Sequence, residues 1–410
     1  MGQAMPSSIS SSEDRPEPGQ GPNAHHGPLA PGLRLTASDR PGIAQPVPER
    51  DVPPHPWARM ALIVLLLVAV VTVAWEYKMR GLGYQVGDLG DDPSAWVAQR
   101  RRLETGREAI AIVGDSRILY DTNLDRFQAV AGVRPVQLAI EGSNGLPVLE
   151  DIADHSTFKG LVIVGMADQS YFRDRIGNAK EALKRWSFES PGNYLGWRIS
   201  DLLRRHSAML DPDAQLSKFV ARTDQDWRPG VQGPYSDVWK LAINHDDRQT
   251  WIWPRIESDR YLHAHAIARW MVIFDIMKPK PDMIAKVIVR TRTAVAKIRA
   301  RGGEVVFVRP PSAEPLRALE QKNLPRAKGW DALLRATPAR GVHFEDMPDA
   351  QGLILPEISH LSRPCAVVFT DVYVRALAGI TPRIAISPSA PPALHRDRCV
   401  PAVAKPQSNS

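Results

Sequence analysis

Sixteen consecutive residues, Met60 to Trp75 (MALIVLLLVAVVTVAW), carry no charge and one hydroxyl, that of Thr72. With Trp57 and Tyr77 the stretch reaches 21 residues, enough to cross a hydrocarbon core of about 30 Å. Trp57, Trp75 and Tyr77 stand where interfacial aromatics belong, and Arg59, Lys78 and Arg80 can snorkel at the two ends. A cleaved signal peptide fits less well, because a long leader precedes the run and no small-x-small cleavage site follows it. A buried core helix fits less well too, because the sequence holds no second helix of similar apolarity to cover it. The expectation is one transmembrane helix over 57–77. The flanks carry similar numbers of basic residues, so charge decides little about orientation.

The run divides the chain. Residues 1–56 are rich in Pro, Ser, Gly and His and lack apolar periodicity, and 381–410 look the same; both are expected to be disordered. Residues 78–105 read as a polar stalk with a helix around Trp96 to Leu103. The net charge of +7 is spread along the chain, and aromatics do not interleave with the basic residues, so no nucleic-acid partner is expected. The two cysteines, Cys365 and Cys399, have no metal-type spacing. Outside the cytoplasm they could pair and tie the tail to the domain; two unpaired thiols are the alternative. No metal or other cofactor is expected.

Residues 106–380 alternate between apolar strand patterns and amphipathic helix patterns. Strands are expected at Ala109–Val113, Pro135–Ile140, Leu161–Val164, Glu304–Val308 and, weakly, Val342–Phe344. Helices are expected at Ile118–Val130, Leu146–Ala153, Met283–Arg301, around Leu316–Ala336 and over Ala366–Ala378. Such alternation implies a parallel sheet covered on both faces, a flavodoxin-like three-layer α/β/α arrangement. The stretch from about 171 to 280 breaks the rhythm. It reads as a helical insertion and holds Trp186, Trp197, Trp227, Trp239, Trp251, Trp253 and Trp270. These rings either fill an accessory core or line a sugar-binding cleft.

Two motifs carry the chemistry. Gly114-Asp115-Ser116 follows the first strand, which puts Ser116 at the carboxyl edge of the sheet, where open α/β sheets bind ligands. Glu357-Ile358-Ser359-His360-Leu361-Ser362 lies near the end of the domain. A serine hydroxyl is a weak nucleophile until a neighbouring base takes its proton. His360 supplies the base, and Glu357, three residues earlier, can reach its Nδ1. The Ser116 N–H at a helix start would face a developing oxyanion. His263-x-His265 and His245-Asp246-Asp247 resemble metal ligands but lack a third ligand at defined spacing. Arg309, after the fourth strand, either binds an anionic group of a substrate or pairs with a local acid.

These motifs resemble those of the SGNH/GDSL hydrolase superfamily, and most closely its membrane-anchored members that act in O-acetylation of bacterial polysaccharides. The resemblance covers about residues 106–380 without the insertion. It implies Ser116 as nucleophile, His360 as base and Glu357 as orienting acid. In the second block, Ala139-Ile140-Glu141-Gly142-Ser143-Asn144, it implies the Gly142 N–H as an oxyanion donor. The third block is normally Gly-x-Asn-Asp. Here it is Gly165-Met166-Ala167-Asp168, so Ala167 replaces the asparagine donor. Asn144 or Gln169 could substitute for it. Cys365 occupies a position that is often Gly in the family.

The resemblance implies an esterase or O-acyltransferase on the bacterial inner membrane, with its large domain outside the cytoplasm. Its partners would be membrane lipid, through the anchor, and an acylated glycan or cell-envelope polymer. A catalytically silent domain that binds a polymer or partners a membrane acyltransferase is the alternative, favoured by Ala167. A scaffold whose 1–56 tail recruits cytoplasmic partners is a third reading.

Overall fold

The computed structural model describes the backbone of residues 33–40 and 43–48, and the whole of 55–173, 176–215, 240–276 and 278–399. In the leader, β1 (Leu33–Arg40) and β2 (Ile43–Pro48) pair antiparallel where disorder is expected. Leu33, Leu35, Ile43 and Val47 give these short segments a local period-two pattern that the leader's overall composition hides. The rest of 1–54 lies outside the described residues.

Helix α1 (Trp57–Gly81) is long and apolar enough to cross a membrane, with a mean hydropathy of 2.4 over its best window and none of that window buried. At 1.5 Å per residue it is about 37 Å long. It overruns the expected 57–77 by one turn, because the polar residues Lys78 to Arg80 keep the helical geometry.

Helix α2 (Pro93–Leu103) corrects the expected stalk. Trp96, Val97, Arg100 and Leu103 are buried, and Trp96 Nε1 donates to the Leu138 carbonyl at 3.0 Å. The Arg100 guanidinium is buried because Asp151 meets it at 2.8 Å. A strongly polar helix thus reads as a stalk in sequence while its charges are paired inside the domain. Upstream of α2, the Lys240 ammonium sits between Asp88 at 2.6 Å and Asp211 at 2.7 Å, which fixes the 82–92 segment.

The sheet follows the expected pattern. Next in chain order come β3 (Ile110–Val113), α3 (Ser116–Tyr120), α4 (Leu124–Ala131), β4 (Val136–Gln137), α5 (Leu146–His155), β5 (Leu161–Gly165) and α6 (Asp168–Tyr171). The insertion contributes α7 (Ala179–Ser187), α8 (Pro191–Arg204), the antiparallel pair β6 (Ala242–Asn244) and β7 (Thr250–Ile252), α9 (Pro254–Ser258) and α10 (Arg260–Ile276). Then follow α11 (Pro281–Ala300), β8 (Glu304–Arg309), α12 (Leu316–Asn323), α13 (Trp330–Ala336), β9 (Arg340–His343) and α14 (Arg363–Ala378). The five strands order β4-β3-β5-β8-β9 and are all parallel. Alternation splits each strand between two cores. Ile110, Ile112, Ile163, Val306 and Val308 pack with α3, α4 and α14. Ala111, Val113, Val162, Val164, Val305 and Phe307 pack with α2, α5, α11 and α13.

Two expected helices are broken. The segment 118–130 divides at Asp121-Thr122-Asn123, because Asn123 Oδ1 caps α4 through the Arg126 N–H at 2.6 Å, and short polar side chains compete with helix continuation. The segment 316–336 divides at Pro325, which lacks the N–H that a helix interior needs.

The expected disorder of 381–410 is corrected as far as Cys399. Ile384 is buried, Ser387 N–H donates to the Val130 carbonyl at 2.8 Å, and Arg126 and Arg375 donate to the carbonyls of Pro392 and Pro391 at 2.7 and 2.6 Å. Cys365 and Cys399 form a disulfide that closes the segment onto α14. Proline carbonyls served by arginine from outside give order to a segment with no periodicity of its own. Residues 400–410 lie outside the described residues.

The bridge closes a loop of 34 residues, for which chain entropy gives about 3–4 kcal/mol. Cys399→Ser is therefore expected to lower the urea midpoint and to open 381–399 to proteolysis. An unchanged midpoint would show that the hydrogen bonds alone hold the tail.

Candidate active site

Ser116 is set by close packing at the strand ends. Gly114 (φ 154°) ends β3 so near Ile118 and Gly165 that a Cβ there would lie 2.4 Å from Ile118 Cγ2 and 2.8 Å from the Gly165 carbonyl oxygen. Only glycine allows the chain to turn at that spot. Asp115 follows as N-cap of α3, accepting from the Arg117 N–H at 3.1 Å, and its second oxygen accepts from the Ser170 hydroxyl at 2.7 Å. Ser116 opens the helix half-exposed, with its N–H among those that have no partner within a helix.

The loop before α14 brings the base. His360 Nε2 lies 2.8 Å from Ser116 Oγ, and His360 Nδ1 lies 2.9 Å from Glu357 Oε1. Both side chains are buried, with His360 1% exposed and Glu357 0%. Glu357 Oε1 also accepts from the His360 backbone N–H at 2.5 Å, which closes the acid-x-x-His turn on itself. Ile358 inside that turn has φ 67°, a costly conformation for a β-branched residue. The surroundings hold it there: Ile358 packs with Phe274 and Leu316, and its carbonyl accepts from the Ala313 N–H at 3.0 Å.

Several neighbours of the site were not singled out in the sequence. Trp270 of α10 donates through Nε1 to Glu357 Oε2, so the insertion reaches the acid directly. Tyr120 lies against the imidazole, ring centres 4.5 Å apart. Asp121 accepts the Leu361 N–H at 2.8 Å, and its other oxygen is buried with no hydrogen-bond partner among the described residues. Burial pushes the Asp121 carboxyl up to about 8, although His360, the Leu361 N–H and Arg117 oppose the shift. Burial alone would lower His360, but Glu357 and then Asp121 outweigh it and hold the imidazole above its ordinary value.

The loop after β4 holds two more of the expected site residues. Gly142 (φ 67°) makes a tight turn after β4; a Cβ there would lie 2.8 Å from Asn178 Nδ2, which donates to the Glu141 carbonyl at 2.8 Å. Beside this turn opens a cleft of about 240 Å³ lined by Asp91, Trp96, Glu141, Asn178 and Arg248 among others. Asn144, expected as a spare oxyanion donor, is committed to its own loop: Nδ2 donates to the Arg173 carbonyl at 2.8 Å and Oδ1 accepts the Leu146 N–H at 3.1 Å. It borders a different cleft of about 680 Å³, walled by Pro147, Ile176, Trp186 and Arg290, of which Ser116 is not a lining residue. The Gln169 amide is fully buried, and neither its oxygen nor its nitrogen has a hydrogen-bond partner among the described residues.

Asp168 and Arg309 are turned inward, and Arg309 takes the second of its two expected roles, pairing with acids. Arg309 is 2% exposed, meets Asp168 at 3.0 Å and Glu320 at 2.9 Å, and Glu320 meets Arg117 at 2.7 Å. Arg117 Nε donates to Ser359 Oγ at 3.2 Å, so the chain of charges ends beside His360. Its cause is the pairing of like numbers of cations and carboxylates, which makes burial tolerable. Glu320 is held down to about 2, since Arg117 and Arg309 outweigh the opposite effect of burial.

The insertion's tryptophans have different surroundings. Trp251 and Trp253 are core residues, Trp270 touches the relay, Trp186 walls the larger cleft, and Trp227 and Trp239 lie outside the described residues. His245 stacks near Trp251 and His265 on Tyr261, and among the described residues no group of three or more His, Cys, Asp or Glu is placed to hold a metal ion. Comparison of the chain with models of protein families and with curated proteins yields no match.

Asp121 gives a test of this electrostatic picture. An unfolded aspartate titrates near 3.9, so between about pH 4 and pH 8 the folded protein holds the extra proton and loses stability as pH rises. Asp121→Asn keeps the acceptor for the Leu361 N–H and removes the titration. Its melting temperature relative to the parent is expected to rise between about pH 5 and pH 8. A difference that stays constant with pH would show that folded Asp121 is already ionised at about pH 5 and that burial does not raise its carboxyl.

Proposed function

We propose that the protein is a membrane-anchored serine esterase or O-acyltransferase of SGNH type, acting on acyl esters of a surface polysaccharide. The observation that carries this reading is the unbroken relay Ser116–His360–Glu357, with contacts of 2.8 and 2.9 Å, at the carboxyl edge of a parallel sheet. The strand order β4-β3-β5-β8-β9 supports a flavodoxin-like three-layer architecture, whose ligands bind at that edge. The polymer substrate rests on the family resemblance of the four motif blocks.

In this mechanism Ser116 Oγ attacks the acyl carbonyl while His360 Nε2 takes its proton, and Glu357 stabilises the imidazolium. The N–H groups of Ser116 and Gly142 receive the oxyanion. The tetrahedral adduct collapses to acyl-Ser116, and His360 returns the proton to the departing alcohol. A glycan hydroxyl or water then attacks the acyl-serine, with His360 again as base, and restores the free serine. Ala167 leaves the oxyanion without the usual side-chain donor, a loss that typically costs about 100- to 1000-fold. Slow, acceptor-specific transfer suits such a site better than rapid hydrolysis. Ala167 is also what favours the second reading, a silent domain that binds a polymer or partners a membrane acyltransferase. A buried relay with no other evident role speaks for the first.

For localisation, α1 is the proposed single membrane span, with the domain after it outside the cytoplasm. The Cys365–Cys399 disulfide supports this side, since such bridges persist in oxidising compartments.

A fluorophosphonate probe tests the reading without knowledge of the substrate. The intact protein is expected to be labelled, and Ser116→Ala and His360→Ala are not; folded protein that labels no better than Ser116→Ala would establish the silent domain. The labelling rate is expected to rise with pH through a value above about 6.5, since the base must be neutral and is held above its ordinary pKa. Glu357→Gln should move that limb to lower pH and cut the rate by as much as about 10⁴. Trp270→Phe leaves the relay in place but removes one hydrogen bond to the acid, and a loss of about tenfold is expected.

A further inference from the structure

Helix α8 is inside out for a soluble protein. A surface helix ordinarily turns its apolar stripe to the core and its charges to water. In α8 the residues facing the protein are Trp197, Ser200, Asp201 and Arg204, spaced at three and four positions. The opposite face carries Leu195, Ile199, Leu202 and Leu203, with Tyr194 at its margin, and these side chains are 44–59% exposed. Phe188, just before the helix, is 76% exposed. Exposed Arg198 lies beside the stripe, where a long basic side chain can reach lipid headgroups while its stem stays on apolar ground.

The position of α8 says what covers this face. Glu76, in the last turns of α1 between Trp75 and Tyr77, accepts the backbone N–H groups of Ala208 at 3.0 Å and Met209 at 2.8 Å and the hydroxyl of Ser207 at 2.9 Å. Those residues begin three positions after α8 ends. Arg204, the last residue of α8, accepts the Gly87 N–H at 3.0 Å through its carbonyl and donates to the Leu89 carbonyl at 2.9 Å. Met79 and Tyr84 share a small core with Ala208 and Ala214. The carboxyl end of α8 is therefore bound to the turn where α1 presents its own interfacial aromatics.

We infer that α8 is an interfacial helix whose Leu195/Ile199/Leu202/Leu203 face beds into the lipid bilayer beside the point where α1 leaves it. The inference rests on the proposed spanning role of α1. A helix with an apolar face and a basic margin lies in the headgroup region in this way, and its binding grows with buried apolar area and with anionic lipid. With α1 as the first tether, α8 makes a second contact and limits rotation of the domain about the anchor. A second copy of the chain, or another protein, would be the competing occupant.

The test uses the full chain reconstituted in vesicles of phosphatidylcholine and phosphatidylglycerol. Both native cysteines are bridged, so a single introduced cysteine takes an environment-sensitive fluorophore. Positions are Ile199→Cys and Leu202→Cys, with Tyr77→Cys as the anchor control and exposed Lys322→Cys as the remote control. Expected are blue-shifted emission at 199 and 202 and its loss when nitroxide-labelled lipids are included, as at 77, with neither effect at 322. Quenching at 77 but not at 199 or 202 would overturn the inference and leave the anchor intact. No quenching at 77 would remove the spanning reading, and the inference with it. A blue shift at 199 and 202 that nitroxide lipids leave untouched would mean that protein covers the face, and the lipid contact would be wrong.

Discussion

Two arginines and two carboxylates, all shut away from water, join the segments that have to meet for the relay to exist. Asp168 follows β5, Arg309 ends β8, Glu320 lies on α12 and Arg117 lies on α3, one residue after Ser116. Arg117 then reaches Ser359, one residue before His360. Each charge is tolerable inside only because its neighbour is present; removing one member of such a set typically costs about 3–5 kcal/mol. The hydrogen bonds of Ser116, His360 and Glu357 are thus the visible front of a deeper electrostatic frame. The same frame explains why Asp121 and Glu320, both buried carboxyls, are driven in opposite directions: Glu320 lies between two guanidiniums, whereas burial dominates at Asp121.

Most of the sheet was legible in the sequence because its strands are buried on both faces and read as short Val/Ile-rich runs. The relay was legible too, since Gly114-Asp115-Ser116 and Glu357-x-x-His360 are local patterns that fix turn, nucleophile and base within a few residues. What was missed depends on pairing across long distances. Arg100 and Arg309 look like solvent-seeking charges until Asp151, Asp168 and Glu320 are placed beside them. Trp270 could not be singled out among the insertion's tryptophans, because only the tertiary approach of α10 to Glu357 distinguishes it. The ordered tail was missed for a similar reason: proline-rich sequence has no period, and its partners Arg126 and Arg375 lie far back in the chain. By contrast, the break at Asp121-Thr122-Asn123 carried a readable signal, since three short polar residues inside a helical pattern favour a cap.

The insertion is more than an ornament on the sheet. Its hairpin and α9 contribute to the core that α14 closes, its α10 touches the catalytic acid, and its α8 is joined to the end of α1. One contiguous stretch of chain therefore contacts both the Ser116–His360–Glu357 relay and the end of α1. Geometry at Glu357 and attachment to α1 are in this way properties of a single block of structure.

The separation of 244 positions from Ser116 to His360 also imposes an order in time. Synthesis runs from the amino end, so the serine and its turn emerge well before the histidine. Until then the Ser116 hydroxyl has no imidazole beside it, so on the proposed mechanism nothing takes its proton. Cys399 emerges 34 positions after its partner Cys365, so the disulfide closes later still. On the proposed mechanism, a nascent chain of this design carries no activated nucleophile until residues 357–360 have been made.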